Sequence, residues 1–163
     1  MTLMTAANPP VTVVIEIPAG TTDKIEYDAA SDRFLVDRVI RYLPYPVNYG
    51  FIPHTLAGDG DPVDVLVLGR RVETGTRIDA IPLATLRLTD RGESDDKVLF
   101  IPVADSLRLN ACDTWTCLKA GHPDLLLQIE TWFLHYKGPG VMVSEGWMGP
   151  DSTRQFIRNT TLD

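Results

Sequence analysis

Three carboxylates fall within one short stretch, Asp59-Gly60-Asp61-Pro62-Val63-Asp64. Asp59 and Asp61 belong to a loop shaped by Gly60, which permits unusual backbone angles, and by Pro62, which fixes one. A strand-like run, Val63 to Leu68, follows at once. Asp64 stands inside it and shares a face with Leu66 and Leu68, while Val63, Val65 and Val67 share the other. An ionised Asp on a strand that is apolar on both faces is costly unless a cation sits beside it. Clustered hard oxygen ligands suit Mg²⁺ or Mn²⁺. A solvated acidic turn is the ordinary reading of an Asp-x-Asp pair, and the third Asp in its apolar strand argues against it. An EF-hand is excluded, because the sixth loop position is Asp64 rather than Gly and the twelfth is Arg70 rather than Glu.

Other residues could join this chemistry. The charged turn Thr89-Asp90-Arg91-Gly92-Glu93-Ser94-Asp95-Asp96-Lys97 is a second source of ligands. Arg38 lies on the face of Phe34, Val36 and Ile40, where a guanidinium needs a phosphate or carboxylate. Tyr45 and Tyr49 lie near the acidic loop in sequence, and their hydroxyls could donate to an anion or simply be satisfied in the core. His54 could bind a metal, although a lone His is more often structural. Glu16 and the Lys24/Glu26 pair, taken alone, read as surface residues.

Composition narrows the field. With 163 residues the chain is expected to form one domain, 1–163, large enough to bury a core. Hydrophobic residues make up 44% and charged ones 23%, proportions that place the chain among soluble globular proteins. A net charge of −7 argues against a nucleic-acid footprint, which is normally basic. It also means that an anionic substrate would need added cations. The start carries no basic and apolar leader pattern, and no apolar run is long enough to span a membrane, so a cytoplasmic location is expected. Cys112 and Cys117 fit neither a zinc ribbon nor a CxxC pair, and they are expected to be free thiols.

The elements that must position these residues come mostly early. Strands are expected over Val11–Ile17, Lys24–Asp28, Arg33–Arg41, Val63–Leu68, Arg77–Leu88 with a bend near Pro82, and Val98–Val103. Tyr42–Thr55, rich in Tyr, Pro and Gly, reads as irregular. Ser106–Lys119 is ambiguous. Pro123–Lys137 is the clear helix, with Pro123 at N1, Asp124 in the first turn and Lys137 at the end. Its apolar stripe is Leu125, Ile129, Trp132, Phe133 and Tyr136. A short last helix, Ser152–Asn159, would take Asp151 as N-cap. Short strands followed by a main helix imply an α+β protein: a small curved β-barrel with helices outside.

Read together, these segments resemble the family I soluble inorganic pyrophosphatases of bacterial type, from about Val14 to Trp147. Asp59–Val65 resembles the family signature D-x-D-P-x-D-x. Ile15-Glu16-Ile17-Pro18, Lys24-Ile25-Glu26-Tyr27-Asp28, Asp37-Arg38, Tyr45-Pro46-Val47-Asn48-Tyr49-Gly50, the second acidic turn and His135-Tyr136-Lys137 follow in the family's order. The resemblance implies an OB-like five-stranded barrel with helices outside, and a homohexamer. It implies hydrolysis of pyrophosphate to two phosphates with several Mg²⁺ ions, Mn²⁺ being the alternative. By the same resemblance Asp59, Asp64, Asp90 and Asp95 would be metal ligands and Asp61 the general base. Lys24, Arg38, Tyr49, Tyr136 and Lys137 would hold phosphate oxygens, with Glu16, Glu26, Tyr45 and Lys97 completing the shell. The chain departs from the family at Arg91, where an acid is common, in the short Gly138-Pro139-Gly140 segment after Lys137, and in lacking a Gly within Pro82–Leu86.

Two rival readings keep the same fold. A catalytically inactive phosphate or metal binder would be expected to have lost Asp61 or a phosphate-holding base, and this chain keeps them. An OB-type nucleic-acid binder could use Tyr42, Tyr45, Tyr49 and Phe51 near Arg38 and Arg41 as a stacking platform, but the acidic balance opposes it.

Overall fold

The computed structural model describes residues 9–40 and 43–163. Arg41 and Tyr42, named in the stacking-platform reading, lie outside the described residues, as does the end of the strand expected to reach Arg41. The described residues form nine strands and three α-helices: β1 (Val11–Ile17), β2 (Asp23–Asp28), β3 (Arg33–Val39), β4 (Asn48–Phe51), β5 (Asp64–Val67), β6 (Arg77–Asp90), β7 (Glu93–Ser94), β8 (Lys97–Pro102), α1 (Trp115–Gly121), α2 (Pro123–His135), β9 (Met142–Met148) and α3 (Pro150–Thr160).

Five of the strands close into a ring in the order β1-β4-β5-β8-β6, with β6 returning to pair with β1. Every pairing in the ring is antiparallel except β5 with β8. Closure removes the free edges that an open sheet would expose. The alternation read along Val63–Leu68 is reproduced on the two faces of β5. Leu66 and Leu68 join a core cluster with Trp115, Leu118, Ile129 and Phe133 of α1 and α2. Val63, Val65 and Val67 join a second cluster, against which Phe156 and Ile157 of α3 pack. The fold is therefore the expected OB-like barrel with helices outside.

Several details differ from the sequence reading. Tyr42–Thr55 is not wholly irregular, because it contains β4. Gly50 is required there: a Cβ at this position would stand 1.8 Å from the Val14 carbonyl oxygen, so only glycine lets β1 and β4 approach. β1 does not alternate cleanly. The register shifts between Ile15 and Ile17, and Val13 through Ile17 are all buried. This bulge turns Glu16 inward, contrary to the surface position its local sequence suggested. On β3, Val36 is 57% exposed, so the face it shares with Arg38 is not a core face.

The later segments differ too. Ser106–Lys119 resolves into a single 3₁₀ turn and α1, whose N-cap Thr114 accepts from the Cys117 amide. α2 begins at Pro123 as expected and ends at His135, two residues before Lys137. Its buried stripe includes Leu126, with Leu125 and Tyr136 only partly buried. β9, unforeseen, pairs with β6. α3 is capped by Gly149 without a side-chain bond, while Asp151 sits in the first turn and pairs with Arg154. Cys112 and Cys117 are not free thiols but form a disulfide with Cα atoms 5.5 Å apart. The turn entering α1 brings them within bridging range, and residue spacing alone does not reveal that turn.

Candidate active site

Asp64 opens β5 and Lys97 opens β8, and the parallel register sets them side by side. A cation for the half-buried Asp64 is therefore present within the chain. Lys97 Nζ donates to Asp64 Oδ2 at 2.6 Å, to Asp95 Oδ1 at 2.8 Å and to the Tyr49 hydroxyl at 3.1 Å. Lys97 is only 2% exposed. Burial alone would push its ammonium down, but Asp64, the Tyr49 oxygen and Asp95 outweigh it and hold the group well above its usual range. Burial pushes the Asp95 carboxyl up despite the same lysine. The triad is an ammonium facing two carboxylates, since its two short charge-assisted bonds favour the ionised forms.

The Asp59–Asp64 loop projects over this base. Asp59 Oδ1 accepts from the Asp61 amide at 3.0 Å, and the Ala57 amide donates to the Asp61 carbonyl at 2.8 Å, so the loop holds its own shape. Asp59, Asp64 and Asp95 each offer an oxygen, all within 4.8 Å of one another. That donor set fits a hard divalent cation. Asp61 stands just outside it, its carboxyl raised by partial burial and by Asp59 and Asp64.

The second acidic turn is a two-residue hairpin. Thr89 pairs with Ser94 and Asp90 with Glu93, leaving Arg91 and Gly92 at the tip with φ of 51° and 84°. Both values belong to a type I′ turn. Arg91 is exposed there, and its amide donates to the Val141 carbonyl. Asp90 does not join the carboxylate trio. It is bonded by Lys137, which with help from Arg91 outweighs the upward push of burial and leaves its carboxyl below the usual range. Its Oδ1 is buried without a partner among the described residues. Asp96 instead caps the β6 bulge by accepting from the Leu88 amide.

Glu16 enters from the β1 bulge. Its Oε2 accepts from the Tyr27 amide at 2.7 Å. Burial raises its carboxyl to about 7, the Tyr27 bond opposing and Asp64 and Glu26 adding to the rise. Lys24 stands opposite, 2.8 Å from Glu26 and 3.4 Å from Asp37.

One cavity of about 400 Å³ gathers these groups. Every site residue expected from the sequence lines it except Arg38, whose guanidinium lies 5.9 Å over the Tyr136 ring. Tyr45, Tyr49 and Tyr136 form part of an aromatic wall with Trp132 and Phe133. His54 is exposed and lies outside the lining. Tyr27, Glu93 and Ser94 line the cavity without having been singled out. For Glu93 and Ser94 the signal was present, since the hairpin tip that brings in Asp90 and Asp95 carries them between. Eight carboxylates and three lysines share the lining, so an anion would meet net negative charge unless further cations enter with it.

A closed five-stranded barrel with a carboxylate-and-lysine pocket has the donor groups to hold divalent cations and an anion together. The chain matches the family model "Inorganic pyrophosphatase" over residues 13–163, and it belongs to that family. Among its relatives, the inorganic pyrophosphatase of Caulobacter vibrioides is 42% identical, over 93% of this chain and 89% of that one. That of Aeropyrum pernix is 41% identical, over 91% and 86%. The crystal structure of the inorganic pyrophosphatase from Neisseria gonorrhoeae superposes with a TM-score of 0.85 at 34% identity, covering 96% of this chain and 95% of that one.

Proposed function

We propose that this chain hydrolyses inorganic pyrophosphate to two phosphates with the help of several Mg²⁺ ions, Mn²⁺ being the alternative ion. The observation that carries the reading is the trio Asp59, Asp64 and Asp95, within 4.8 Å of one another, in a cavity also lined by Lys24 and Lys137. Hydrolysis of a phosphoanhydride is mainly positioning and charge neutralisation. Asp59, Asp64, Asp90 and Asp95 would hold the ions. Bound there, paired divalent ions lower the pKa of a water and neutralise the phosphate oxygens. Asp61 takes the proton of the attacking water, a role suited to a carboxylate raised toward the working pH and free of the Lys97 network. Lys24, Lys137, Tyr49 and Tyr136 hold phosphate oxygens, with Arg38, over the Tyr136 ring, as a further holder. Glu16, Glu26, Tyr45 and Lys97 keep those groups in place.

For Asp90 the role requires a change of partner, because Lys137 now holds one of its oxygens. An incoming phosphate competes for the same lysine and so frees the carboxylate. The catalytically inactive alternative is not favoured, since both Asp61 and the lysines are present in the pocket. The reading includes a homohexamer and a cytoplasmic location, both drawn from the family resemblance and the sequence. The Cys112–Cys117 disulfide runs against that location, because cytosolic thiols are generally held reduced.

Asp61→Asn tests the division of roles. It should keep most metal affinity and lose about 10²–10⁴-fold in turnover, the usual cost of a lost general base. Asp64→Asn should chiefly weaken metal binding, measured by calorimetric titration with Mg²⁺. If both variants shift only the metal requirement, Asp61 is a ligand and not the base.

A further inference from the structure

The β2–β3 hairpin brings Lys24 and Glu26 to the cavity, yet it is a separate two-stranded sheet with no ladder bonds to the barrel among the described residues. Burial holds it only in part: Ile25 of β2 packs against the main core, while Leu35, Val36 and Val39 of β3 are 49%, 57% and 54% exposed. Its base is tied where the Tyr45 amide donates to the Thr21 carbonyl. Beyond that base, three contacts converge on one residue. The Tyr27 amide donates to Glu16 of β1 at 2.7 Å. The Tyr27 ring stacks on Phe51 of β4, with centroids 5.8 Å apart and planes at 19°. It also packs on its cross-strand partner Phe34, at 5.3 Å. Phe34 in turn lies over Gly75, where even an added Cβ would come within 3.3 Å of the ring.

We propose that Tyr27 is a positioning residue: its ring clamps the β2–β3 hairpin to the barrel and thereby sets where Lys24 stands in the pocket. Lys24 lies between the tied base and the Tyr27 contact, so loss of the clamp frees the strand that carries it. The hydroxyl is secondary. It donates to Asp32 at 2.7 Å, within the hairpin's own turn, and makes no link to the barrel.

The test uses the full chain, with Tyr27→Ala and Tyr27→Phe, and reads both amide exchange and kinetics. Tyr27→Ala should speed exchange across residues 23–39 by about tenfold, the value of one to two lost aromatic pairs, and leave β5 and β8 unchanged. With pyrophosphate it should raise KM by about five- to tenfold while kcat stays within about threefold, as expected for lost substrate binding. Tyr27→Phe should return both readouts to within about twofold of wild type, because the stack survives. Unchanged exchange in Tyr27→Ala would overturn the proposal. So would a fall in kcat with KM unmoved, or a Tyr27→Phe variant as impaired as Tyr27→Ala. The kinetic arm rests on the pyrophosphatase reading and the exchange arm does not. An inactive wild type would therefore refute that reading while exchange still decided the clamp.

Discussion

Glu16 is a carboxylate that the fold prefers protonated. Burial moves its pKa from 4.5 to about 7, against the bond from the Tyr27 amide. Between those values the folded protein holds a proton that the unfolded chain has released. Stability is then fully present below pH 4.5 and is lost as pH rises toward 7. A group 9% exposed and shifted this far corresponds to about 3 kcal/mol. In metal-free protein, Glu16→Gln should therefore be about 1–3 kcal/mol more stable than wild type at pH 8 and nearly equal to it at pH 4. Urea unfolding at the two pH values measures this, and an equal difference at both would contradict it. Local sequence hid this residue's burial, because the β1 bulge that turns it inward breaks the alternation on which the surface reading relied. Asp64 was different. Its apolar neighbours on both faces of the strand made its need for a cation legible, although nothing local revealed that the chain itself supplies one in Lys97, more than thirty residues away.

At the scale of elements, chemistry and spacing carried different amounts of information. The strand over Val63–Leu68 and the helix from Pro123 were legible from periodicity and end signals. β4 was not, since its Pro- and Gly-rich surroundings looked like a loop and the need for Gly50 appears only once β1 lies against it. Arg91 departs from the family in sequence, and the fold accounts for its place as the first tip residue of a hairpin turn. The entry to α1 is tied by both the Thr114 cap and the Cys112–Cys117 bridge. Closing so short a loop is worth about 2 kcal/mol in the chain-entropy account. For a domain of this size that corresponds to roughly 4–8 °C in Tm. Cys117→Ser, at an exposed position, should show that loss, and thiol reductant should lower wild type to the same Tm without affecting the variant. A wild-type Tm indifferent to reductant would show that the bridge does not stabilise the protein.

For the whole molecule, the barrel and its helices bring residues from Glu16 to Lys137 to one cavity, so the site exists only in the complete fold. The motifs were readable in sequence order, but the exchange of partners around Lys97 and Lys137 was not, because it depends on strand register and on how α2 ends. The proposed homohexamer should have a mass six times the 18.1 kDa of one chain by light scattering at micromolar protein, and a monomeric mass would reject it. Among the described residues no helix is long and apolar enough to cross a membrane. The central claim is that a net-negative pocket works on an anion because divalent cations enter with it. Phosphate release from pyrophosphate, followed with Mg²⁺ and again after adding a chelator, tests it most directly. Release that needs Mg²⁺, stops with chelator and returns when Mg²⁺ is restored in excess is the predicted result. Full release in chelator, or none with Mg²⁺, would contradict it.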